Sequence, residues 1–337
     1  MNPESEIDFT ELVDLASDRI GGTAIAANDE FFAPCENLVK AARPVWREGE
    51  YTDRGKWMDG WETRRRREPG HDWCILRLGL AGQIAGVIVD TAHFVGNHPE
   101  ACSIEVASLD GSPDRTLPEA MKWTEILPRT ALRGDAENRF AARSRERATY
   151  VRLNIYPDGG VARLRVYGFV IPDLEALRSS KTDVDLASMA NGGRVVAASD
   201  MFFGSRHNLI LPDAPRGMSD GWETRRRRGP GNDWAILRLG ARGRLGRVEV
   251  DTTHFKGNAP GSCSIEVLDA ADAVDPSAQG LSWSEFLPKT KLGPHRVHTF
   301  ERELRAIGDA THARLQIYPD GGVARLRLFG RLSGAGR

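Results

Sequence analysis

Apolar residues recur at every second position through much of the chain. Val151, Leu153 and Ile155 alternate with Arg152 and Asn154, and Leu164 and Val166 alternate with Arg163 and Arg165, which is the period of half-buried strands. Pro157-Asp158-Gly159-Gly160 lies between them and carries turn chemistry, since proline presets one φ and glycine permits φ above zero. The stretch therefore reads as strand, turn, strand. Glycine-rich breaks punctuate the rest, and a 3.6-residue period is sustained mainly in the opening Phe9 to Ala16 segment. The pattern predicts an all-β fold of antiparallel sandwiches of jelly-roll type.

The pattern is also written twice. Asp59-Gly60-Trp61-Glu62-Thr63-Arg64-Arg65-Arg66-Arg67 returns unchanged from Asp220 to Arg228. In the same register Asp72-Trp73 matches Asp233-Trp234, and Asp90-Thr91-Ala92-His93-Phe94-Val95-Gly96-Asn97 matches the segment from Asp251 to Asn258. Tyr156 to Arg165 returns whole from Tyr318. Upstream, Phe31-Phe32 answers Phe202-Phe203 at a larger offset, so the first copy holds an insertion between about Val39 and Met58 that contains Trp46 and Tyr51. Each copy is far longer than a solenoid or propeller repeat and is expected to be a domain in its own right. The expected organisation is a first repeat over 1–171, a linker over 172–181 able to form a short helical turn, and a second repeat over 182–337.

Composition narrows the field further. A chain of 337 residues, 40% hydrophobic and 28% charged, has the balance of an ordinary globular protein. A formal charge of −1 gives no long-range field to gather nucleic acid or an anionic membrane, and neither is expected as a partner. Cys35, Cys74, Cys102 and Cys263 show no CxxC spacing and read as reduced thiols. The acidic N-terminal stretch lacks the features of a signal peptide, and no apolar run is long enough to span a membrane, so a cytoplasmic protein is expected.

Candidate chemistry gathers in the repeated blocks. In an extended strand Glu62, Arg64 and Arg66 would share one face, offering planar guanidinium forks to a carboxylate or ureido group. The alternative is a solvated strand with surface ion pairs. His93 and His254 follow an apolar strand at a glycine turn, where a scaffold can aim a proton-transfer group; a histidine tied to Asp90 or to backbone is the competing reading. Asp158 and Arg163, with Asp320 and Arg325, flank the Gly-Gly turn and offer either ligand contact or turn structure. The repeated tryptophans (Trp61, Trp73, Trp123, Trp222, Trp234, Trp283) read as packing aromatics. No Gly-x-Ser-x-Gly, Walker, His-Glu-x-x-His or Rossmann pattern occurs. No cofactor is predicted. A divalent ion held by Asp90, His93, His98 and Glu105 is an open alternative, weakened because Ala259 stands where the second copy would need its His98.

Taken together, the Asp-Gly-Trp-Glu-Thr-Arg-Arg block, the Asp-Trp pair, Asp-Thr-x-His-Phe-x-Gly-Asn, Trp-x-Glu-x-Leu-Pro and Tyr-Pro-Asp-Gly-Gly-Val-Ala-Arg resemble the allantoicase family over nearly the whole chain, in order and in both copies. The resemblance implies paired jelly rolls similar to galactose-binding sandwiches. It also implies a hydrolase that converts allantoate to ureidoglycolate and urea in purine breakdown, and a homo-oligomer. Such a reaction breaks a bond from nitrogen to tetrahedral carbon, so it needs an acid for the departing ureido nitrogen and a base. The candidates are Glu62 and His93 with Glu223 and His254. Arg64, Arg66, Asn97, Asp158 and Arg163, with Arg225, Arg227, Asn258, Asp320 and Arg325, are the candidates for substrate contact. Whether each copy holds a site or both form one jointly is left open, and so is the competing class, a non-catalytic tandem sandwich that binds carbohydrate or a small anion.

Overall fold

The computed structural model describes residues 8–109, 121–144, 146–270, 275–278 and 280–334. The chain divides into two compact units, Met1–Ile171 and Pro172–Arg337. Unit 1 contains β1 (Val13–Asp14), β2 (Thr23–Ala27), a small hairpin of β3 (Tyr51–Thr52) and β4 (Gly55–Lys56), β5 (Trp61–Glu62) and β6 (Asp72–Asp90). It continues with β7 (Ala101–Ala107), β8 (Thr124–Ala131), β9 (Glu137–Phe140), β10 (Ala148–Tyr156), β11 (Gly160–Val161) and β12 (Arg163–Val170). Unit 2 opens with α1 (Leu174–Ser179), the helical turn expected there, followed by β13 (Val184–Asp185), β14 (Arg194–Ala198), β15 (Trp222–Glu223), β16 (Asp233–Asp251) and β17 (Ser262–Leu268). Its remaining strands are β18 (Ser284–Lys291), β19 (Val297–Phe300), β20 (Ala310–Tyr318), β21 (Gly322–Val323) and β22 (Arg325–Leu332).

The units are all-β jelly-roll sandwiches, as the period-two pattern predicts, and one long strand organises each. The first part of β6 pairs with β2 (Ala27↔Cys74) and β10 (Ile155↔Asp72), whereas its later part pairs with β12 (Arg163↔Asp90) and β9 (Glu137↔Asp90). One strand thus serves both layers, turning between them at a glycine-containing bend. Gly79 sits in that bend, where a Cβ would meet the Ile20 carbonyl oxygen at 2.4 Å. β10 extends its layer through β7 and β8, and β12 extends the other through β1; β16 repeats the arrangement in unit 2.

The core of unit 1 lies between the layers. Leu76, Val87, Val89, Cys102, Ile104, Val151, Leu153, Ile155, Leu164 and Val166 are buried there, each large aliphatic contributing about 1.5–3 kcal/mol. The helical period of Phe9 to Ala16 does not become a helix. Phe9–Glu11 is a short 3-10 turn, after which the Asp14 carboxylate accepts from the Ala16 and Val166 amides and ties β1 to β12. The insertion in unit 1 carries the β3–β4 hairpin. Asn37 and Gly60, joined by a hydrogen bond, lie 23 positions apart, against 13 for their counterparts Asn208 and Gly221. Tyr51 on this hairpin is exposed, and Trp46 packs under Lys56, 3.9 Å from its ring centroid. No helix among the described residues is long and apolar enough to cross a membrane.

Candidate active site

Trp61 and Glu62 are adjacent, so β5 sends their side chains to opposite sides. Trp61 is fully buried and its Nε1 donates to the Asp29 carbonyl at 2.8 Å, which fixes the strand. The Glu62 backbone is held by Ala33 and pairs with Gly160. Its carboxylate turns to the loop after β6, where Asn97 Nδ2 donates to Oε1 at 2.7 Å. Partial burial pushes the Glu62 carboxyl above its ordinary range, and the Asn97 hydrogen bond only partly offsets this. The loop reaches Glu62 because Gly159 lets it approach: a Cβ there would meet the Asn97 carbonyl oxygen at 2.7 Å, and its φ of 138° is one that glycine tolerates. In unit 2 Asn258 donates to Glu223 in the same way, against Gly321 with φ 133°.

The arginine block is not the extended strand expected of it. β5 ends at Glu62; Thr63 still reaches the Gly159 carbonyl, but the next amides find side chains instead of a neighbouring strand. Arg64 N donates to Asp29 Oδ1 at 3.4 Å and Arg66 N to Asp158 Oδ2 at 2.8 Å. The guanidiniums divide likewise. Arg64 Nε pairs with Asp29 at 2.6 Å over the Phe31 ring, and Arg66 pairs with buried Asp72 at 2.7 Å. Arg65 and Arg67 are exposed and have no ion pair or hydrogen bond among the described residues. A cavity of about 490 Å³ opens on this loop, lined by Asn28, Asp29, Arg64, Arg65, Arg66, Arg67, Glu68 and Asp72. Unit 2 repeats the pairings, Arg225 with Asp200 and Arg227 with Asp233, while Arg227 N donates to Asp320.

His93 and His254 hold left-handed backbone at φ 70° and 73°, an unusual conformation for a residue with a side chain. Their amides are held by Asp135 Oδ1 and by His295 Nδ1, both at 2.8 Å. His93 Nε2 lies 3.4 Å from the Pro44 carbonyl, and His254 Nε2 3.0 Å from that of Pro215. A carbonyl only accepts, so Nε2 carries the proton and Nδ1 is the basic nitrogen. The His93 ring packs on Trp46 of the insertion, with centroids 5.7 Å apart, and among the described residues neither histidine ring bonds the aspartate three positions before it: Asp90 accepts from the Ala92 amide and Asp251 from that of Thr253. The described contacts join Glu62 to Asn97 but do not join His93 to either.

The turn residues are reassigned. Arg163 is fully buried and donates to the Ala42, Asp59 and Ala162 carbonyls and, at 2.7 Å, to the Asp59 carboxylate. Arg325 does the same with Asp213, Asp220 and Ala324. Both are framework, out of reach of a ligand. Asp158 and Asp320 shape the arginine loop by accepting from its amides. The open metal set does not converge: Glu105 binds Arg152 and Asn154, and His98 Nδ1 faces the Val95 carbonyl at 2.9 Å. Reading the sequence marked Asp72 as part of a repeated pair but missed Asp29, and it missed that both aspartates are the partners that set the arginine geometry. The signal was present, since both recur in the second copy as Asp200 and Asp233.

Comparison with known proteins bears on what this arrangement serves. The allantoicase repeat family matches the chain over residues 13–171 and again over 184–333. A probable allantoicase from Pseudomonas paraeruginosa is 49% identical over 326 residues, covering 96% of this chain and 97% of that protein. The allantoicase of Dictyostelium discoideum is 45% identical, covering 97% of this chain and 89% of that one. The crystal structure of allantoicase from Saccharomyces cerevisiae superposes with a TM-score of 0.81 at 35% identity, covering 98% of each chain.

Proposed function

The chain belongs to the allantoicase family, and we propose that it hydrolyses allantoate to ureidoglycolate and urea at one site in each unit, with Glu62 and Glu223 as the proton donors. The carrying observation is that each unit holds the same hydrogen-bonded pair, Glu62 with Asn97 and Glu223 with Asn258, beside the same arginine loop. The scissile bond joins a ureido nitrogen to a tetrahedral carbon. Protonating that nitrogen lets the bonding electrons leave with urea, while the lone pair of the remaining ureido nitrogen forms a C=N bond and that nitrogen gives up its proton. Water then adds to the carbon, giving ureidoglycolate. A carboxyl pushed upward by burial keeps a proton closer to neutrality, which suits the donor, and Asn97 holds it in one orientation. His93, with Nδ1 basic, is the base in unit 1, and His254 has the same role in unit 2. No cofactor is needed for these steps, and a cytoplasmic location forms part of the same reading.

The test is urea release from allantoate by Glu62→Gln, Glu223→Gln and the double variant. Independent sites leave about half the activity in each single variant, and the double variant falls by roughly 100-fold to 10,000-fold. Near-complete loss from one substitution would overturn one site per unit. Full activity in a folded double variant would remove the glutamates from the chemistry.

A further inference from the structure

Reading the arginine block as a strand put Arg64 and Arg66 forward as the substrate's anchors, but the structure divides the four differently. Arg64 and Arg66 are each committed to an aspartate, Asp29 and Asp72. Arg64 stays exposed and Arg66 is half-buried, but each guanidinium already has a carboxylate partner that holds the loop in shape. Arg65 and Arg67, between and beside them, line the same cavity with exposed guanidiniums that meet no acid among the described residues. The division recurs in unit 2, where Arg225 and Arg227 are paired and Arg226 and Arg228 are exposed without a described partner.

From this geometry we infer that Arg65 and Arg67 bind the substrate carboxylate, and Arg226 and Arg228 do so in unit 2, making them the specificity-determining residues of the site. The assignment rests on the reaction proposed above. An unpaired guanidinium presents a planar fork that matches a carboxylate bidentately, and it loses no existing ion pair when it does so. The cavity lies on the loop that begins immediately after Glu62, so one short segment carries both the candidate anion site and the proposed proton donor. Because the carboxylate takes no part in bond breaking, the contact acts on ground state and transition state alike and appears mainly in KM.

The experiment substitutes the arginines in pairs, Arg65→Gln with Arg226→Gln and Arg67→Gln with Arg228→Gln, and measures KM and kcat for allantoate together with inhibition by each product. The expected result is a KM raised about tenfold to 100-fold in each pair, with kcat changed much less. Inhibition by ureidoglycolate, which keeps the carboxylate, weakens in step, and inhibition by urea, which has none, stays as it was. Arg178→Gln on α1, an exposed arginine elsewhere, leaves all of these unchanged. Unchanged KM and unchanged ureidoglycolate inhibition in both pairs would overturn the assignment. Equal weakening of urea and ureidoglycolate inhibition would overturn it too, since that marks a distorted site. The proposed acid is judged separately: if Glu62→Gln with Glu223→Gln stays active while the arginine pairs raise KM, the glutamates are wrong and the anion site stands.

Discussion

The same position in the two units can carry quite different physics, and His298 is an example. It occupies in β19 the place of Asn138 in β9, opposite Val250 as Asn138 is opposite Val89. Its Nε2 accepts from Gly293 N at 2.7 Å and Arg296 Nε at 3.2 Å, so the proton sits on Nδ1, facing the Val250 carbonyl at 3.1 Å. Burial, aided by the charge of Arg296, holds its pKa below the ordinary 6.5, although Val250 and Asp251 pull the other way. The fold therefore favours neutral His298. The stability this gives is present above the unfolded value and is lost as pH falls through the depressed one. Thermal melts should show a drop in stability from roughly pH 7 to roughly pH 5 that His298→Asn makes shallower. An equal drop in that variant would show that the ring does not titrate as described. Arginines mark what single residues could not reveal. Arg163 is read from the sequence as a turn residue open to a ligand, yet it is sealed against Asp59, 104 positions away. Burial depends on such distant partners, and nothing local in Gly-Gly-Val-Ala-Arg announces them.

Strands were legible where both faces had a fixed fate. β10 and β12 follow from alternation because Val151, Leu153 and Ile155, and Leu164 and Val166, are buried in the core while Arg152 and Arg165 between them are only partly buried. The arginine block was illegible for the opposite reason: with no apolar residue after Trp61, nothing in its pattern says where strand pairing stops, and it stops when Asp29 and Asp158 replace a neighbouring strand as acceptors. The turn at Gly159 and the loop at Asn97 were both visible, but not their dependence on each other. That dependence predicts that Gly159→Ala with Gly321→Ala pushes Asn97 and Asn258 away from their glutamates, since the added Cβ would lie 2.7 Å and 2.5 Å from the asparagine carbonyl oxygens. A shift of about 1 Å in catalytic geometry costs about 100-fold in rate. Urea release measured on a variant with an unchanged circular dichroism spectrum checks this, and full activity would mean that the loop position does not matter.

For the molecule as a whole, duplication made the architecture readable, because two copies in one register separate what is fixed from what drifts. The pairs Glu62 with Asn97 and Arg66 with Asp72 recur, whereas His71, Glu68 and His98 give way to Asn232, Gly229 and Ala259. Which layer each strand joins was not readable, since pairing across a sandwich is a long-range choice. One such choice, a single strand shared by both layers, has a kinetic consequence. Neither layer of unit 1 can come apart without freeing part of β6, which carries four neighbours along its length. Partial opening is thereby suppressed, and the amides of Asp72–Asp90 that bond to those neighbours should exchange with deuterium only when the whole unit unfolds, at one common rate. Exchange that is fast in one half of β6 and slow in the other would show that the layers can open separately.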